Sequence, residues 1–446
     1  MIPLRCILLA ALAAGTALSS GDQVSLRNGN LVTGDVEAIS ADGRVTVASP
    51  NLAGPLVLRG SAMRSIEFHH EAPGDADHGE RLQLVNGDVL PGELLGLNED
   101  SLEFRTAFAG DLSVARNVAR SLDFGVTPQK LVYRGVRDLS GWVKNDNWKI
   151  EGGNLTCATN GSIARPEVLP ANFILRFRLR WEQNPNLRFY FCDDLLERRG
   201  DADRYYFEIN TGGLQLKRQT KDGDRRWIPI ASLERRPEEF ADATVEIEIR
   251  VNRENRLIYF YLDGEKEGRY LDPIDDFPEG TGIMLYSLAA GDMKNVVELI
   301  EVYEWDAVSQ LRRSEGHSDD DTDAIVSNTG ERFSGTAERL VREGDGPRIL
   351  FNSPHSDDPF RIPQRRISTL YFRSVEGSRG SGSAAFTTDW EGGGHLHLNS
   401  LQLTADKATA QHPLLGDLVL DRASLRRMQV PAAEDPDDAK PPSPSK

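Results

Sequence analysis

The sequence predicts an all-β protein: a central two-sheet jelly-roll sandwich with small β-barrel repeats on both sides. Three observations carry this. The phrase "VSLRNGNLVTGDVEAI" from Val24 returns as "LQLVNGDVLPGELLGL" from Leu82. A long central stretch alternates apolar and polar residues with almost no helical period, the pattern of successive strands with one packed face. Forty glycines and 23 prolines supply many turns.

The first residues, "MIPLRCILLAALAAGTALSSGDQ", place Arg5 before a short apolar run, with small residues after it. This is the pattern of a signal peptide over residues 1–20, and the run is shorter than the roughly twenty apolar residues a bilayer span needs. Export to the periplasm or the extracellular space is therefore expected, and no later segment reads as membrane-spanning. Cys157 and Cys192 both fall in strand-like text. Export would permit a disulfide, but pairing depends on strand adjacency, so it stays open. The net charge of −17 argues against nucleic acid as a partner, because phosphate binding needs a basic patch.

Each of the first two blocks, 21–69 and 80–126, opens with an alternating strand and then Asn-Gly, a tight-turn signal between strands (Asn28-Gly29, Asn86-Gly87). A second glycine follows five positions on, at Gly34 and Gly92, and the blocks close alike with "RSIEF" and "RSLDF". The spacing returns at Gly330 and Gly335 in a third block, 321–374. A fourth, 384–430, is recognised by its end, "GDLVLDRASLRRM". Between the second and third blocks lies the sandwich segment, 127–306. In "FILRFRLRW", Phe173, Leu175, Phe177, Leu179 and Trp181 share one face, and Ile174, Arg176, Arg178 and Arg180 share the other, expected to be exposed. The Pro-rich acidic end, 431–446, reads as a disordered tail.

The blocks resemble Sm-like or SH3-like small barrels in their first hairpin, and only the shape is carried over, since the RNA-binding motif of Sm proteins is not reproduced. The phrase order of the central segment resembles concanavalin A-like lectin/glucanase sandwiches. It looks most like the branch holding laminin-G-like modules and the 3-keto-disaccharide hydrolases. The opening from Trp148 to Leu155 and the "YLDGE" hairpin at Tyr261 to Glu265 carry that match. The resemblance implies a sandwich that can host binders and enzymes alike.

A sugar site stacks an aromatic ring on the sugar's apolar face and fixes it with polar groups. The candidate ligand-binding residues are Trp181, Arg188, Tyr190, Asp193, Tyr206 and Trp227. Tyr205 is a further aromatic in this region. Alternation places Arg188 with Tyr190, and Tyr206 with Glu208, on shared faces. Glu208 falls where the 3-keto-disaccharide hydrolases often carry an acidic residue, and is the acid/base candidate if the chain is an enzyme. Glu246 and Glu248 share a strand face that reads as solvated. His395 and His397 could form a metal pair but read as solvated, as does His69. The aspartates at 319–321 and 323 match no EF-hand spacing and read as linker. No cofactor is called for, and calcium is left open.

The leading expectation is thus an exported non-catalytic binding protein for a glycan or a surface protein. One alternative is a glycoside-cleaving enzyme. Another is a structural protein that self-associates through its barrel repeats.

Overall fold

The computed structural model describes residues 21–49, 53–69, 79–126, 130–135, 138–198, 201–221, 226–305, 322–373, 384–405 and 407–430. The predicted leader, the tail, and Asp319, Asp320 and Asp321 lie outside the described residues. The chain is all-β, built from antiparallel sheets.

The first block holds β1 (Asp22–Leu26), β2 (Leu31–Ile39), β3 (Val45–Ala48), β4 (Leu56–Leu58) and β5 (Met63–Glu67). The second holds β6 (Glu80–Leu84), β7 (Val89–Leu97), β8 (Ser101–Thr106), β9 (Gly110–Ala115) and β10 (Ala119–Phe124). The sandwich follows with β11 (Leu131–Gly135), β12 (Lys149–Glu151), β13 (Asn154–Cys157), β14 (Asn160–Arg165), β15 (Phe173–Glu182), β16 (Leu187–Asp193) and β17 (Arg204–Asn210). It continues with β18 (Gly213–Gln219), β19 (Trp227–Leu233), β20 (Thr244–Asn252), β21 (Leu257–Leu262), β22 (Glu265–Leu271), β23 (Gly282–Leu288) and β24 (Lys294–Glu304). The third block holds β25 (Asp323–Ser327), β26 (Arg332–Glu343), β27 (Gly346–Asn352), β28 (Phe360–Pro363) and β29 (Ile367–Tyr371). The fourth holds β30 (Phe386–Trp390), β31 (Gly394–Leu398), β32 (Ser400–Leu403), β33 (Ala408–His412), β34 (Gly416–Leu420) and β35 (Leu425–Gln429).

Each of the first three blocks repeats one pairing scheme. Its first strand pairs with its second and its fifth, the second with the third, and the third with the fourth. The glycine phrase explains the bend. Gly29, Gly87 and Gly330 take the positive φ that their turns require. Gly34, Gly92 and Gly335 lie where the second strand crosses the third so closely that an added Cβ would collide with the carbonyl oxygens of Ala48, Arg105 and Asn352. A bulge follows a few residues later in each, between Val36 and Ala38, Leu94 and Gly96, and Ala337 and Arg339. Bulges re-aim a strand, which lets one strand serve two sheets. The fourth block lacks the second glycine and divides the same strand into β31 and β32.

The blocks join first to fourth and second to third through their closing strands. β35 pairs with β5 around Met428 and Ile66, and β10 pairs with β29 around Leu122 and Leu370. These four residues occupy equivalent positions, so the two unions use one geometry. An arginine from the turn before the closing strand seals each. Arg422 reaches the carbonyls of Val36 and Glu37, and Arg116 reaches the carbonyl of Ala337 and the buried carboxylate of Asp323. Asp323, expected in a solvated linker, is instead 1% exposed and also accepts from the Ala337 and Arg373 amides. The second and fourth blocks meet where Phe108 stacks on Trp390 at 5.3 Å. One apolar core runs through all four blocks.

A polar knot fixes the meeting of the second and fourth blocks. Asp88, in the second block's Asn-Gly turn, is fully buried and receives His397 Nδ1 and His412 Nε2, each at 2.5 Å. Burial alone would raise its pKa, but the bonds from His397, His412 and Asn86 outweigh that and hold it at about 2. His395 bonds Asp389 at 2.7 Å. His395 and His397 are thus partners of carboxylates though still more than a third exposed, and His412 is fully buried; among the described residues no group of three or more His, Cys, Asp or Glu could hold a metal.

The sandwich has an eight-stranded sheet, ordered β12-β13-β24-β15-β20-β21-β22 with β11 also on β24, and a six-stranded sheet, ordered β14-β23-β16-β17-β18-β19. Phe173, Leu175, Phe177, Leu179 and Trp181 fill the core between them, as the alternation requires. Cys157 and Cys192 lie in that core as free thiols, and burial pushes Cys192 up to about 12.

The other face of β15 is not exposed to solvent as the alternation suggested. Blocks one and four cover it, and its arginines mesh with their charges. Arg64 of β5 forks onto Glu298 at 2.7 and 2.8 Å and donates to Thr244 Oγ1 at 2.6 Å. Arg178 touches Ser65 at 3.3 Å and Glu67 at 3.6 Å. Arg427 of β35 binds Glu246 and lies 3.0 Å from Glu67. Arg180 adds a 2.9 Å bond to Glu298. Glu246 and Glu248, expected on a solvated face, are therefore members of a buried ionic layer. Burial would raise Glu298, but Arg64, Arg178 and Arg180 together keep it below its ordinary value.

Arg64→Ala removes two of the bonds to buried Glu298 and leaves it to Arg180, so unfolding stability should fall by about 2 kcal/mol in urea titration. A loss inside the roughly 0.5 kcal/mol scatter of surface changes would contradict a buried role. Glu80, between blocks two and three, accepts from the Leu94 amide at 2.5 Å and from Gln364, and burial pushes it up to about 7. A carboxyl raised in the folded state stabilises fully below its unfolded pKa, and that contribution is lost as pH rises through about 7. The part of the melting-temperature drop between pH 5 and pH 8 that belongs to Glu80 should vanish in Glu80→Gln, as thermal scans at both pH values would show.

Candidate functional site

The outward face of the six-stranded sheet carries chemistry that the fold does not consume. Its register follows from the pairings. One row across the sheet is Tyr286, Arg188, Glu208, Gln215 and Ser232. The next is Met284, Tyr190, Tyr206, Lys217 and Pro229, and a third is Arg204, Gln219 and Trp227. Arg188, Tyr190, Tyr206 and Glu208 thus come together on adjacent strands, as their alternation predicts.

Within this face Glu208 is shared by two cations. Arg188 Nε donates to it at 2.9 Å and Lys217 Nζ at 3.1 Å. Both cations also lie 5.7 Å from the centre of the Tyr206 ring. Tyr190 packs on Tyr206 at 5.3 Å, and the Arg204 guanidinium lies 4.1 Å over Tyr190. Burial raises the phenol of Tyr190 above its ordinary value. The loop after β16 folds Leu196 onto this pair. Its root is an ion pair, Arg204 to Asp193 at 2.5 Å, with both side chains 1% exposed. Asp193 also accepts from the Leu195 and Leu196 amides.

These placements correct several sequence candidates. Trp181 is 3% exposed and packs edge-on against Phe240 in the inter-sheet core, so it offers no stacking surface. Tyr205 is likewise core, stacked on Phe191. Asp193 is a buried structural ion, because anchoring the loop needs its charge against Arg204. Tyr190 and Tyr206 lie on the right face but are 5% and 4% exposed, lidded by cations and Leu196. Among the candidate aromatic rings Trp227 is the one that solvent reaches, 56% exposed on edge strand β19.

Sequence reasoning missed Lys217, Arg198 and Tyr286. The alternation of "LQLKRQT" places Gln215, Lys217 and Gln219 on one face and could have found the lysine. Arg198 is brought in by the loop, bonding Asn160 Oδ1 at 2.6 Å with its guanidinium 4.7 Å over Tyr286. No sequence period signals that contact.

No protein-family model and no curated protein matches the chain. Solved structures similar to part of it include the carbohydrate recognition domain of Emp46p in its potassium-bound form. That domain is 12% identical, over 38% of this chain and 92% of that one, with a TM-score of 0.28. The carbohydrate-binding module CBM66 from Bacillus subtilis is 11% identical over 37% and 96%, with a TM-score of 0.28. The laminarinase catalytic domain from Thermotoga maritima is 13% identical over 40% and 99%, with a TM-score of 0.29. These neighbours are lectin-like and glucanase domains, each similar to about two fifths of this chain.

Proposed function

We propose that this is an exported, non-catalytic binding protein that recognises a glycan on the outward face of the six-stranded sheet. Its Sm-like or SH3-like blocks form a frame for the sandwich. The observation that carries the reading is Trp227, an indole more than half exposed on the same sheet face as a row of charged and amide side chains. An exposed ring beside convergent polar groups is what a sugar's two kinds of surface require.

The carboxylates of this face favour binding over hydrolysis. Glycoside cleavage uses two carboxyl groups about 5–5.5 Å apart, or about 6.5–9.5 Å when a water must fit between them. Here Glu208 is held by Arg188 and Lys217, and Asp193 by Arg204. Arg204 lies four residues from Glu208, about 13 Å along the strand. Neither carboxylate is placed to work with the other.

Trp227→Ala should abolish glycan binding on an array while leaving the melting temperature within about 1 °C, because an exposed edge side chain contributes little to stability. Unchanged glycan binding by that variant would overturn the placement of the site. Turnover of a glycoside that is lost in Glu208→Gln would overturn the non-catalytic reading.

A further inference from the structure

The same face indicates which glycan, an inference that rests on the reading above. A ligand approaching Tyr190 and Tyr206 does not meet bare rings. It meets Arg188 and Lys217, whose side chains are 35% and 24% exposed, while the Glu208 between them is 8% exposed. One buried carboxylate is therefore shared by two outward cations, and one positive charge is left uncompensated. Arg198, exposed beside them, is held by an amide oxygen and an aromatic ring, neither of which carries a charge. In the covering loop Glu197 pairs with Lys144 at 3.0 Å and Asp203 with Arg218 at 2.6 Å, while Asp194 accepts from the Thr281 amide. In a chain of net charge −17, three cations gather here around a single buried carboxylate.

The cations are spaced for a chain of sugars. Tyr286, Arg188 and Glu208 are successive cross-strand partners, as are Tyr206 and Lys217. Neighbouring strands lie about 4.8 Å apart, so Arg188 on β16 and Lys217 on β18 are rooted two strand spacings, about 9.6 Å, apart across the sheet with Glu208 between them. Trp227 stands one strand beyond Lys217 and two residues along, a diagonal of about 8 Å. A sugar ring stacked on the indole would carry a ring substituent within reach of the ammonium. Guanidinium groups favour carboxylates, and Arg188 already holds one, its Nε and Nη2 both directed at Oε1 of Glu208.

We propose that the ligand is an acidic glycan bearing carboxylates, a uronate-type polysaccharide, and that Arg188, Arg198 and Lys217 select it over neutral sugars. Glu208 tempers the affinity by holding one of the two cations' charges.

The test uses the full chain and a matched pair of probes in calorimetric titration: an oligogalacturonate and its methyl ester, which share a skeleton and differ in charge. The acid should bind at least roughly tenfold more tightly than the ester, and added salt should weaken it. Lys217→Gln and Arg198→Gln should each erase most of that ratio, and Glu208→Gln should raise it, a sign that no merely structural role for Glu208 produces. Equal binding of acid and ester would overturn the proposal and leave the glycan reading intact. Equal binding of poly-glutamate would overturn it in favour of an acidic protein. If neither these probes nor a broad neutral glycan panel binds, the glycan reading itself fails and the proposal with it.

Discussion

The structure depends on the buried ionic layer between the sandwich and the first and fourth blocks. Arg64, Arg178, Arg180 and Arg427 interleave there with Glu67, Glu246 and Glu298. Such a layer is costly to desolvate and tolerates no missing partner. It therefore dictates position more strictly than an apolar contact would. Arg64 of β5 and Arg427 of β35 reach Glu298 and Glu246 of the sandwich from adjacent strands, and those strands lie side by side because they pair. The union of the chain's first and last blocks and the seating of the sandwich are thus one event.

This constraint also divides the two faces of the sandwich. The eight-stranded sheet shares part of its outward charge, at Arg178, Glu246 and Glu298, with the blocks. The six-stranded sheet keeps its own outward charges and rings, held among themselves by short ion pairs. A binding face that is preorganised by its own contacts loses little side-chain entropy when a ligand arrives.

Much of the fold was legible because it rests on local rules. Gly34, Gly92 and Gly335 are where backbone approaches backbone, and only glycine fits, so the repeat shows in the sequence. The core face of β15 followed from period two. Its other face did not, because alternation distinguishes two faces without saying what covers the second. Arg176, Arg178 and Arg180 read as solvated for that reason, as did Glu246. The histidine at 397 and Asp323 were misread in the same way: their partners, Asp88 and Arg116, lie in other blocks, hundreds of residues distant. At the proposed binding face, the co-location of Arg188, Tyr190, Tyr206 and Glu208 was readable from strand parity. The burial of Trp181 followed from the same parity, while the arrival of Arg198 did not, since it depends on a loop.

The most direct test of this account is differential scanning calorimetry of the intact chain with Arg427→Ala alongside. If the ionic layer makes the sandwich and the first and fourth blocks one cooperative unit, the intact chain should show a main transition in which they melt together. The variant should split that transition in two. A sandwich that melts separately in the intact chain, at a temperature unmoved by Arg427→Ala, would contradict the claim.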